Sequence, residues 1–192
     1  AANTKLQAKQ DARAEIERLA ALVAQLGNEG DASVAPVRKR LVDACDRYLE
    51  WQPKGEKWVE IAYKVANIHY RHNAFAEATD LFTRIALDHP SHELAGYATN
   101  LVLDAYNLLG DWRNVNGWAK RFYANAALVK AHPALKDDLA KVIEQSAFKV
   151  IENVLKLDPS RKDASFFAGS YRYAVANLSA VPHEWALQLR QS

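Results

Sequence analysis

Four of the six histidines fall in two close pairs, His69 with His72 and His89 with His92. Residues three apart on a helix share a face, so the first pair has the geometry to offer a cation two imidazoles. A protein metal site needs further ligands at a recognisable spacing, and no acidic or cysteine partner stands at one. The second pair straddles Pro90, which interrupts a helix. The expectation is therefore surface and loop histidines, with no metal and no cofactor. The single cysteine, Cys45, excludes an internal disulfide framework and a cysteine-built zinc site. It lies in an apolar stripe with Leu41, Ala44 and Leu49, which predicts a buried, unreactive thiol. Nucleophile elbow, phosphate-binding loop, dinucleotide-binding glycine run and zincin signature are all missing from the sequence. No acidic pair is singled out for proton transfer, so no enzymatic activity is expected.

Charge narrows the partners. Lys and Arg number 25 against 23 Asp and Glu, a formal net charge of +2. The basic clusters are Arg38-Lys39-Arg40 and Arg161-Lys162, both read as lying in the first turns of helices and as solvated. Nucleic acid would ask for a longer basic stripe with stacking aromatics. Apolar runs stay well short of the ~20 residues that span a bilayer, so no membrane insertion is expected. A chain of 192 residues, 49% apolar, is long enough to bury a sizeable core. It contains no Met, which suggests a processed product or a segment of a longer scaffold.

The elements that position these residues read as helices throughout. Ile16, Leu19, Val23 and Leu26 form one face of a first helix, which Gly27 and Gly30 end. Ser33 or Asp31 can cap a second, carrying Leu41, Ala44, Cys45, Tyr48 and Leu49 and closed by Pro53 and Gly55. A third spans about 56–72, with Trp58, Ile61, Ala62, Val65, Ala66 and Ile68 inward. Asn73 turns the chain into a fourth, 75–88. Then come 91–109, a Gly110-Asp111 turn, 112 to about 128 (weakened by Asn114, Asn116 and Gly117), 134 to about 157, and 161–178. A short segment with Trp185 ends the chain. Links of two to six residues force neighbouring helices to be antiparallel. The expected organisation is one continuous array. Residues 1–30 form an N-terminal capping or projecting helix, 31–92 the first helix pairs, 93–131 a second pair, and 132–192 a C-terminal pair and cap.

The array repeats. Pro53 and Pro90 each end a helix, 37 residues apart. Within 59–92, Ala62, Val65, Ala66, the Asn73-Ala74-Phe75 turn, Ala78, Phe82, Ile85 and Pro90 resemble a tetratricopeptide (TPR) repeat. A looser match follows in Tyr106, Gly110, Asp111 and Trp112, with Leu103 and Val115 where the family has small residues. The resemblance implies an all-α, right-handed solenoid of about eight helices in stacked antiparallel pairs. It further implies a non-catalytic protein-binding scaffold that holds a partner peptide or helix in its concave groove. In that register the first helix of each pair lines the groove, with Tyr63, Asn67, Tyr70 and Arg71 beside Tyr97, Asn100, Asp104 and Asn107. Tyr63 stands where a carboxylate clamp of the chaperone-binding kind needs a basic residue, so that specificity is not expected. The Asp-His-Pro and Leu-Asp-Pro-Ser helix endings resemble bacterial cell-envelope TPR scaffolds, which favours the periplasmic side over the cytoplasm. Two other readings stay open. One is an oligomerisation module associating through Ile16, Leu19, Val23 and Leu26, making a homo-oligomer. The other is a regulatory or metal-binding domain of an enzyme built on His69 and His72.

Overall fold

A computed structural model describes residues 2–26 and 34–157, and the described residues are all-helical, with no strand among them. Among the described residues there are eight helices: α1 (Ala2–Leu26), α2 (Val34–Trp51), α3 (Trp58–Arg71), α4 (Phe75–Asp88), α5 (Glu93–Leu108), α6 (Trp112–Ala124), α7 (Ala126–Ala131) and α8 (Ala134–Leu157). The expected caps at Gly27, Gly30, Asp31 and Ser33, the 161–178 helix with its Arg161-Lys162 cluster, and the Trp185 segment lie outside the described residues. So do the side chains of Val23 and Leu26. Two helix boundaries differ from the sequence reading. α5, expected from residue 91, starts at Glu93, where the His92 ring caps it. The helix expected over 112–128 is two, because Asn125 leaves helical geometry and its side chain accepts from the Leu128 amide to start α7.

The chain forms two compact units, Ala1–Ile85 and Ala86–Ser192, with the boundary inside α4. In the first, α1 packs on α2 and α2 on α3. Ile16 and Leu19 of α1 are buried there. Arg40 reaches back to Glu15 at 3.3 Å, while Arg18 holds the same carboxylate at 2.9 Å. The Arg18 guanidinium above all keeps Glu15 below its usual carboxylate range. The basic cluster thus sits in the second turn of α2, not the first, and one member is tied to α1. Cys45 has no exposed surface, and burial pushes its thiol up to about 12. Iodoacetamide at pH 8 is therefore expected to leave the native protein unlabelled and to alkylate Cys45 only once denaturant opens the unit. Labelling of the native protein at the rate of a free thiol would contradict this burial.

A ladder of side chains shows that α3 and α4 are antiparallel. Next to the turn, the Tyr70 and Phe75 rings meet edge-on at 5.6 Å. Further from it, Tyr63 meets Phe82 at 5.5 Å, and furthest out Arg84 lies 4.8 Å over the Trp58 ring. Ala62, Ala66 and Ala78 are fully buried, the small residues that allow close approach, and Phe82 and Ile85 are fully buried with them.

In the second unit α6 is central, packing on α5, α7 and α8. Ala119, Phe122, Leu128 and Ala147 are fully buried. The two hairpin turns share one backbone solution, 37 positions apart. Asn73 has φ 59° and Gly110 φ 66°. Asn73 donates to Tyr70 O and Ala74 to His69 O; Gly110 donates to Asn107 O and Asp111 to Tyr106 O. This is the paired closure of a helix C-terminus on a left-handed residue, which glycine adopts freely and asparagine tolerates. The periodicity first seen in the prolines is thus present, bond for bond, in the turns.

Candidate functional site

A cleft of about 540 Å³ lies within the second unit, walled by α5, α6 and α8. Its polar wall is a stripe along α5, Asn100, Asp104 and Asn107, spaced four and three apart so that all three share a helix face. All three are exposed. Its apolar wall comprises Leu101 and Leu103 of α5, Trp112 and Val115 of α6 and Val142 of α8, closed by Gln145 and Ser146. That volume lies in the range of small-ligand and peptide-anchor sites.

Each wall is fixed locally. Asp111 caps α6 through the Asn114 amide, which sets Trp112 at the first helical position beside the end of α5. Asn116, buried on the opposite face of α6 from solvent, donates to Ile143 O at 2.8 Å and Ser146 Oγ at 3.0 Å. Ser146 in turn donates to Val142 O. These bonds set the register of α8 against α6 and with it the placement of Val142 and Gln145. Thr99 folds its hydroxyl back onto Ala95 O at 2.9 Å, so this buried polar group is satisfied within α5.

The eight residues predicted for the groove are distributed unevenly. Asn100, Asp104 and Asn107 meet in the cleft. Tyr97 belongs to the same face of α5 and is 64% exposed, but does not wall it. Tyr63, Asn67, Tyr70 and Arg71 are on α3, in the other unit. Tyr63 and Tyr70 are half-buried with their rings set edge-on to Phe82. The Asn67 amide is engaged with Tyr63 O at 3.0 Å. Arg71 is exposed in the last turn of α3. The two tyrosines are therefore part of the hairpin's packing. The α6 and α8 contributions were missed from the sequence. Trp112 carried a signal, being the aromatic that follows a Gly-polar turn; Val142, Gln145 and Ser146 carried only the helical spacing common to any α8 face.

Chemistry-bearing residues elsewhere converge weakly. Among the described residues no three or more His, Cys, Asp or Glu side chains are placed to hold a metal ion. Burial raises the Asp46 carboxyl, and the nearby His69 charge works against that rise. A second hollow of about 160 Å³ in the first unit is ringed by Arg13, Glu17, Lys57, Glu60 and Lys64 over Ile16 and Ile61. Lys57 is spoken for there, bonded to Glu60 at 3.0 Å. No described helix is long and apolar enough to cross a membrane.

Compared with known proteins, the sequence matches no family model and no curated protein resembles it significantly. What the fold defines is an all-α protein built of helical hairpins, with a mixed polar and apolar cleft in its second unit.

Proposed function

We propose that this chain is a TPR-like, non-catalytic recognition module whose binding site is the α5–α6–α8 cleft. One observation carries the reading. A polar stripe of Asn100, Asp104 and Asn107 faces an apolar wall of Trp112, Val115 and Val142 across an open space of about 540 Å³. Carboxamides pair with peptide N–H and C=O groups, while the apolar wall accepts a side chain. That combination suits a short helix or extended segment of a partner protein, with Trp112 as the aromatic anchor of the site. The 37-residue recurrence of turn geometry supports the repeat assignment, because successive hairpins of a solenoid expose such surfaces. A bacterial envelope or motility assembly is the setting proposed for the partner, on the wording of the helix endings alone.

The test is selection of displayed peptides against the full chain, followed by cleft variants. Asn100→Ala combined with Asn107→Ala is expected to weaken a selected peptide at least about tenfold, one to two lost hydrogen bonds. Circular dichroism should stay unchanged, since both residues are exposed. Undiminished affinity in that variant, or peptide-induced amide shifts confined to other helices, would remove the cleft from this role.

A further inference from the structure

We propose, on the reading of the α5–α6–α8 cleft as the binding site, that its occupant is an extended, non-acidic segment of a partner protein, about five residues long and held by its backbone. Of the two shapes open to that occupant, the short helix is the one the walls disfavour.

Carboxamides decide the shape. Asn67, Asn114, Asn116 and Asn125 each use their side chains within the protein, on Tyr63 O, on Asp111, on Ile143 O with Ser146, and on the Leu128 amide. The cleft differs. Asn100 and Asn107 on the α5 wall and Gln145 on the α8 wall are exposed, and none of these three carboxamides bonds another described residue. Each offers two N–H donors and a carbonyl acceptor, the complement of a peptide unit. A helix already bonds its own peptide groups to one another, except at its ends. An extended segment leaves them free along both of its edges. Carboxamides on two walls therefore match a strand lying between them, one edge towards α5 and the other towards α8.

The length follows from α5. Along one flank of its polar stripe, near either end, stand Tyr97 and Leu108, 64% and 61% exposed. Leu101, on the same flank between them, lines the cleft itself. From Tyr97 to Leu108 the helix rises about 16 Å, which an extended chain covers in about five residues. Large apolar side chains left in solvent at both ends of the track give the segment's outer residues a surface to rest on. Trp112, Val115 and Val142 accept a side chain between them. Charge limits the sequence. Among the described residues lining the cleft there is no Lys, Arg or His, and Asp104 contributes a carboxylate. An acidic residue brought into this space would lose water without meeting a cation.

The probe is a library of random linear peptides, displayed on phage and selected on the full chain. Each amide of a selected peptide is then N-methylated in turn, which deletes one backbone donor. Against the wild-type chain this is expected to cost at least about fivefold at two or three amides and little elsewhere, one hydrogen bond each time. In Asn100→Ala, Asn107→Ala or Gln145→Ala, at least one of those losses is expected to shrink below about twofold, because the bond it deletes is already gone. Backbone carbon shifts of the bound peptide should be those of an extended chain, and the selected sequences should lack Asp and Glu. Helical shifts, N-methyl losses that persist unchanged in all three variants, or enrichment of acidic residues would each overturn the extended segment while leaving the cleft as the binding site. Peptide-induced amide shifts in the protein report on the cleft separately. Shifts confined to helices other than α5, α6 and α8, a library that yields no binder, or self-association that competes with peptide would overturn both.

Discussion

Replacing Phe82 with alanine is expected to cost about 4 kcal/mol, the largest effect of any single truncation proposed for this chain. Phe82 has no exposed surface and sits at the centre of the α3–α4 hairpin. Two tyrosine rings lean on its faces and edge, Tyr63 at 5.5 Å and Tyr70 at 6.5 Å, with interplanar angles of 64° and 67°. Alanine would leave a cavity bounded by rings on α3 and by Ala78 and Ile85 on its own helix, elements too stiff to collapse into it. Phe82→Leu separates the two contributions. It keeps most of the apolar volume but loses the edge-to-face contacts, so about 1–2 kcal/mol is expected. Urea denaturation monitored by circular dichroism reads both. A loss below about 1 kcal/mol in Phe82→Ala would show that the hairpin does not pack around this ring. The same arithmetic explains why Tyr63→Ala and Tyr70→Ala make poor probes of binding: each strips a partner from Phe82.

The second large effect is polar. Asn116→Ala is expected to destabilise by about 2–3 kcal/mol, because it removes a buried donor from two acceptors that stay buried. Ile143 O loses its amide partner while Ser146 Oγ retains its bonds to α8 carbonyls at Val142 and Ile143. Ser146→Ala alone should therefore cost less, about 1 kcal/mol. A double-mutant cycle between the two positions is expected to show coupling above about 0.5 kcal/mol. Additive losses would mean that the α6–α8 register is set by apolar contacts such as Ala119 and Ala147. The variant should also disturb peptide binding at a distance, since Val142 and Gln145 stand on the turn that Asn116 positions.

Asn116 also shows where the sequence was legible and where it was not. By propensity, Asn114, Asn116 and Gly117 make α6 a poor helix, and that reading is right about the local cost. Its compensation is long-range, 27 and 30 residues away, and no local pattern announces a side chain bonded to another helix's carbonyl. The helices themselves were readable because their stops are chemical: Asn73, Gly110 and Pro133 each end or open one within a residue of the expected place. Asn125 was not readable as a stop, because an asparagine between alanines has no signature until its side chain is seen capping α7. The cleft was half readable. The α5 stripe came from the register that the TPR resemblance implies, whereas its opposite wall depends on how α8 is laid against α6. The packing of Tyr63 and Tyr70 was not readable for a related reason: an aromatic on the first helix of a hairpin can face outward or lean on the second helix, and here both rings lie edge-on to Phe82.

The two left-handed turn residues restrict how this sequence can drift. At position 73 an asparagine performs the task that a glycine performs at position 110. In the genetic code these amino acids are not neighbours, and an exchange passes through either serine or aspartate by single-base steps. Aspartate tolerates the left-handed region and serine does so poorly, so one of the two mutational routes is nearly closed. Hairpins descended from a common unit would then be expected to display Asn, Asp or Gly at this position and little else, a narrow alphabet by which further copies of the unit can be searched for in longer chains.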